Sequence, residues 1–162
     1  MKIISGAQTG VDRAALDWAM RRGWPHGGWC PQGRTAQDGV IPDRYQLQET
    51  PSSGYSQRTR QNIEDADATL IIHAGPLIGG SELTARLACK LIKPLALFDL
   101  NLPWADQVKT TGQWLVDNAV DVLNIAGPSE DRHPGIYALS KLALDLIFSS
   151  KIQLPSHDSH HT

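Results

Sequence analysis

Apolar residues in this chain fall in short runs, separated by longer stretches where they recur every third or fourth position. The run "KIIS" (2–5) predicts a buried strand, and from Gly10 to Arg22 the residues Val11, Ala14, Ala15, Trp18 and Ala19 recur at helical spacing. Their small average size lets that helix lie close on a sheet. "GGWC" (27–30) predicts a second, weak strand, and a polar stretch rich in Pro, Gly and Asp follows from Pro31 to Tyr55. "SQRTRQNIEDA" (56–66) predicts a helix with Ser56 as its N-cap. Strands are then expected at 68–74, 94–100 and 121–125, and helices at 81–92, 104–118 and 134–149.

Strand and helix alternate about five times. That pattern predicts an α/β fold: a doubly wound sheet of about five parallel strands, three layers deep, with helices on both faces and right-handed crossovers. Residues 1–150 are expected to form a single ligand-binding domain. Residues 151–162, "KIQLPSHDSHHT", are expected to be a flexible tail whose His157, His160 and His161 are solvated.

Composition narrows the function. The chain has 162 residues, 41% hydrophobic and 20% charged, enough apolar material for a core. A net charge of -2 and an isoelectric point near 6.3 leave no basic stripe for nucleic acid. An anion must therefore be held by local geometry. The two cysteines, Cys30 and Cys89, match no disulfide framework and no metal spacing, and both are expected to be apolar fillers. No apolar run approaches the ~20 residues of a membrane helix, and the expected location is the cytoplasm.

In open parallel sheets, ligands bind outside the carboxyl ends of the strands. Three segments expected there stand out. Gly6-Ala7-Gln8-Thr9-Gly10 bares backbone ahead of a helix whose first amides and dipole favour an anion. Thr9 and Asp12 have the spacing of a capping box. Gly79-Gly80-Ser81 repeats the device, with Ser81 as N-cap and Glu82 and Thr84 in the first turn. The long polar segment carries Arg34, Asp38, Arg44 and Tyr45, and Arg58 and Arg60 follow it on the next helix. Arginine forks suit phosphate, so the segment is a candidate lid or clamp.

The motifs exclude other chemistries. The first turn is not G-x-G-x-x-G, and Trp29-Cys30-Pro31 stands where a ribose-binding acid would end the second strand, which argues against ordinary dinucleotide binding. The G-x-x-x-x-G-K-[ST] loop and the G-x-S-x-G elbow are also absent. His26, His73 and His133 show no ligand spacing. His73 is expected to be a structural, hydrogen-bonded histidine, and Asp99 a turn residue. No nucleophile–base pair is evident.

"GAQTGVDRAALDWA", "GGWCPQGRTAQDGVIP", Tyr45-x-Leu47-x-Glu49, "RTRQNIEDADATLI" and "GGSELT" occur in that order. Over most of residues 3–100 this combination resembles the family of putative molybdenum carrier proteins, a Rossmann-like group related to the LOG, or lysine decarboxylase-like, proteins. The resemblance implies ligand loops at the carboxyl edge of a parallel sheet, a homo-oligomer (dimer or tetramer), and binding of molybdenum cofactor. LOG nucleotide hydrolases carry Gly-Gly-x-Gly-Thr-x-x-Glu, and here Thr84 occupies the glutamate's place, which weakens the hydrolase reading. Glu82 lies two positions out of register, about 200° around the helix.

The expected function is thus to carry a phosphorylated heterocycle. Gly6, Gln8, Thr9, Gly10, Gly79, Gly80, Ser81 and Thr84 would form the cradle, and Arg34, Asp38, Arg44 and Arg58 the polar wall. Tyr45 or Trp29 would stack on the ring. The alternatives are a nucleoside monophosphate N-glycosidase, with Asp12, Asp38 or Glu82 as the acid, and a nucleotide-sensing domain.

Overall fold

A computed structural model describes residues 1–149. Strands β1 (Lys2–Ile4), β2 (His26–Gly27), β7 (Ala68–His73), β8 (Leu95–Asp99) and β9 (Val122–Ala126) form one parallel sheet in the order β2-β1-β9-β7-β8. The last strand among the described residues, β9, therefore lies at its centre, between β1 and β7. Helices α1 (Val11–Arg21), α4 (Trp104–Asp117) and α5 (Ile136–Ser149) pack together on one face, and α2 (Tyr55–Asp65) and α3 (Gly79–Lys90) on the other. This is the three-layer α/β architecture expected from the alternation. The histidines at 157, 160 and 161 lie outside the described residues.

β7 is buried along its whole length, as a strand covered on both faces must be. The main core joins Ile3, Trp18, Leu70, Ile72, Phe98, Leu123 and Ile125 to the apolar stripes of α1 and α5. Each large side chain buried there contributes roughly 1.5–3 kcal/mol.

The expected second strand divides. Gly27 ends β2, while Trp29–Cys30 (β3) pairs with Gln48–Glu49 (β6) in a separate two-stranded ribbon. Gly28 makes the break at φ +129°, and a Cβ there would lie 2.1 Å from the Ser5 carbonyl oxygen. The segment expected to be a structureless lid is ordered. It holds β6 and a hairpin of β4 (Thr35–Ala36) with β5 (Gly39–Val40), and closes a second core of Ala7, Leu16, Cys30, Ile41 and Tyr45.

Further differences concern helix starts and one cysteine. The N-caps of α1, α2 and α3 are Gly10, Gly54 and Ile78, none with a side-chain cap bond, so Thr9, Ser56 and Ser81 do not cap. Helix α3 starts two residues earlier than expected, which moves Ser81 inside its first turn. Cys30 is buried as expected, whereas Cys89 is exposed, because it falls on the outer face of α3. No helix among the described residues is long and apolar enough to cross a membrane.

Candidate functional site

The loops after β1, β9 and β7 meet at the carboxyl edge of the sheet because those three strands are neighbours. Gly127, at the end of β9, permits the meeting. A Cβ there would lie 2.2 Å from the Ile72 carbonyl oxygen and 2.6 Å from a methyl of Val11.

A polar recess of about 40 Å³ opens at this junction, lined by Gly6, Asp12, Arg58, Thr59, Asn62, Gly80, Ser81, Thr84, Asn124, Ala126 and Gly127. It shares Gly80, Ser81 and Gly127 with a cleft of about 360 Å³, which adds Gln8, Gln37, Tyr55, His73, Ile78, Arg132 and His133. The two glycine turns are thus brought together at one site, through Gly6 and Gln8 on one side and Gly80 and Ser81 on the other.

The turns differ in what they offer. In the first, the amide of Val11 donates to the Pro128 carbonyl at 3.2 Å, the amide of Gln8 to Asp12 Oδ2 at 3.4 Å, and the hydroxyl of Thr9 accepts from the Glu130 amide at 3.2 Å. Much of its hydrogen-bonding capacity is spent within the protein. The second turn is open: the first-turn amides of Gly80 and Ser81 have no backbone acceptor among the described residues. Ser81 is buried, yet its hydroxyl makes no hydrogen bond among the described residues. Thr84, one turn on, donates to the Gly80 carbonyl at 2.8 Å.

Helix α2 supplies the opposite wall. Arg58 and Asn62 are four residues apart and share a face. Asn62 holds β3 by accepting from the Trp29 amide at 2.8 Å and donating to the Trp29 carbonyl at 3.0 Å. Arg58 crosses the recess, with Nη1 donating to the Gly6 carbonyl at 2.9 Å and lying 3.5 Å from Asp12 Oδ2. A Cβ on Gly6 would sit 1.8 Å from that nitrogen, so only glycine admits the guanidinium. Arg58 Nε is buried without a partner, and the group lies over the Tyr55 ring at 5.2 Å.

Burial pushes the Asp12 carboxyl up to about 6, against the lowering pull of Arg58, the Gln8 and Gly127 amides, and Arg13. Burial wins because the nearest Arg58 nitrogen is already engaged by the Gly6 carbonyl, and 3.5 Å is too long for a tight bidentate pair.

The remaining candidates sit elsewhere. Arg13 reaches Asp38 through two bonds, one of 3.0 Å, and this holds the Asp38 carboxyl below the ordinary carboxylate range. Asp38 lines a neighbouring shallow depression with Thr9 and Gly10. Arg34 donates to the carbonyls of Ile41, Pro42 and Tyr45, tying its own loop together. Tyr45 is 1% exposed, its hydroxyl donates to Asp17 at 2.6 Å, and Arg44 stacks on its ring. Trp29 donates to Asp65 at a separate cavity. Glu82 is exposed and lines neither recess nor cleft, and Gly79, at φ +56°, lies against Arg132. Arg60 pairs with Glu64 on the outer face of α2. His73, which lines the cleft, donates from Nδ1 to the Gly75 carbonyl at 2.7 Å, and Asp99 accepts from the turn amides of Gly75 and Asn101.

Sequence reasoning missed Asn62, Asn124, Gly127, Tyr55 and Arg132. Gly127-Pro128 after the last strand is the one signal that pointed there. Asn62 was legible only as a residue on the same helix face as Arg58.

Over residues 3–148 the chain matches the model of the circularly permutated YpsA SLOG family. The chain belongs to that family. A crystal structure of a protein named putative molybdenum carrier protein, from Syntrophus aciditrophicus SB, is 47% identical to it. That alignment covers 91% of this chain and 94% of the other, with a TM-score of 0.89. No curated protein matches. The resemblance read from the ordered motifs therefore holds, and the Rossmann-like fold with it. In this SLOG chain the recess at the β1–β9–β7 junction combines unspent amides, a buried unpartnered guanidinium nitrogen and a buried carboxyl.

Proposed function

We propose that the protein is a carrier that binds a phosphorylated heterocyclic small molecule by its phosphate. The observation that carries this reading is the pairing, in one recess, of the open α3 N-terminus with the unpartnered Nε of Arg58. An oxyanion satisfies both. Helix-terminal amides and a guanidinium make charge-assisted bonds of about 1.5–3 kcal/mol each. The adjoining cleft is of a size that suits a flat ring, with Tyr55 and Ile78 as apolar contacts and Gln8, Gln37 and Arg132 as polar ones.

The name of the 47% identical protein supports a molybdenum-related ligand. The residues present fit the phosphate of a pterin cofactor. Neither Cys30 nor Cys89 lines the recess or cleft, so no thiolate here is offered to a metal. Of the three acids named for the N-glycosidase reading, Glu82 lies outside the recess and Asp38 is held by Arg13 in a neighbouring depression, so that reading rests on Asp12 alone, whereas the carrier reading rests on the whole cradle.

Calorimetric titration of the purified protein with inorganic phosphate, AMP and a pterin phosphate tests this. Micromolar or tighter binding of a phosphorylated ring is expected, and the Gly80→Asp variant is expected to lose it. Steady release of free base from nucleoside monophosphates, abolished in Asp12→Asn, would replace the carrier with an enzyme.

A further inference from the structure

The recess contains one feature that a simple anion cradle lacks. Asp12 lines the same small space as Ser81, Gly80 and Arg58, and it is buried. The carboxyl receives the Gly127 amide, a long 3.4 Å bond from the Gln8 amide to Oδ2 and a 3.5 Å approach from Arg58, which leaves acceptor capacity on its two oxygens. An ionised carboxylate accepts and never donates. An oxyanion held by the α3 amides, the Ser81 hydroxyl and Arg58 Nε therefore meets a carboxyl in the same 40 Å³ recess.

We propose that Asp12 makes the recess selective for oxyanions that carry or readily take a proton, such as phosphate and phosphomonoesters, over fully deprotonated ones of the same shape, such as sulfate and molybdate. This rests on the reading that the recess holds an oxyanion, and it names which kind. One proton placed between the carboxyl and a ligand oxygen turns a like-charge contact into a charge-assisted hydrogen bond. Phosphomonoesters titrate near pH ~6 and can supply or share that proton. Sulfate and molybdate are fully ionised at neutral pH and bring none, so they leave two anions facing each other in a buried site. The charged groups facing Asp12 are Arg58, from α2, and Arg13, on its own helix.

The test is calorimetric titration at pH 7.5 of inorganic phosphate, sulfate and molybdate, each against the unmodified protein, Asp12→Asn and Asp12→Ser. The unmodified protein is expected to prefer phosphate by roughly 30-fold or more, the scale set by an unpaired buried acceptor. Both variants should bring the three anions within about threefold, chiefly by gaining sulfate and molybdate. Methyl phosphate binding should take up close to one proton, counted from the dependence of the heat on the buffer's ionisation enthalpy, and Asp12→Asn should remove that uptake. Equal binding of sulfate or molybdate by the unmodified protein overturns the proposal, as does an unchanged preference in both variants. If oxyanions bind without preference and Gly80→Asp abolishes that binding, only the role of Asp12 falls. If no phosphate or phosphomonoester binds, the carrier reading falls too.

Discussion

Replacing Asp12 by Asn is expected to stabilise the fold at neutral pH, although Asp12 lies within reach of an arginine. The folded-state carboxyl titrates at about 6 against 3.8 when unperturbed. The folded protein therefore holds a proton more tightly than the unfolded chain. That contribution to stability is complete below pH ~4 and is lost as pH rises through ~6. A shift of this size corresponds to about 3 kcal/mol at pH 8. An asparagine keeps one oxygen as acceptor for the amides around it and carries no charge to desolvate. Chemical denaturation should show Asp12→Asn more stable than the parent by about 1–3 kcal/mol at pH 8, with the difference shrinking to near zero at pH 4. A loss of stability at pH 8 that fades at pH 4 would refute the reasoning, because it would mean that the Asp12–Arg58 ion pair outweighs burial.

Other substitutions separate binding from folding. A Cβ at Gly80 meets nothing within 4 Å, so Gly80→Asp should leave the melting temperature within a few degrees of the parent while phosphate affinity drops at least tenfold by calorimetry. Gly28→Ala combines φ +129° with a clash on the Ser5 carbonyl; denaturant melts should show a loss of about 3 kcal/mol or more, or no soluble protein. Tyr45→Phe removes the bond to Asp17 but leaves Tyr137, whose hydroxyl also donates to Asp17 at 2.5 Å; a loss of about 1–2 kcal/mol is expected in the same assay. Gly6→Ala displaces Arg58 from the recess, and should cost phosphate binding more than tenfold with only a modest fall in stability.

The alternation of β7, α3 and β8 was legible because each element is long and strongly periodic, and most of their ends fall within two residues of the expected ones. The weak "GGWC" strand was misjudged because a single glycine divides it between two sheets, and no local pattern reports the Ser5 carbonyl that Gly28 must clear. The two glycine turns were visible in the chain and do meet. Their inequality was not, since the acceptor that occupies the Val11 amide comes from Pro128, more than a hundred residues away. The arginines of the 31–55 segment show the same limit. Arg34 looks like a phosphate ligand by type, yet three carbonyls of its own loop claim it.

Periodicity and glycine placement, both properties of neighbouring residues, were enough to specify a parallel α/β sheet and to mark Gly6–Gly10 and Gly79–Ser81 as segments at its carboxyl edge. The insertion of β9 between β1 and β7, the approach of Arg58 over Gly6, and the burial that raises Asp12 all depend on which distant segments become neighbours. Hydrogen-bond partners and solvent exposure are set by those long-range contacts. A residue's type says what it can do, and the packing around it decides what remains for it to do.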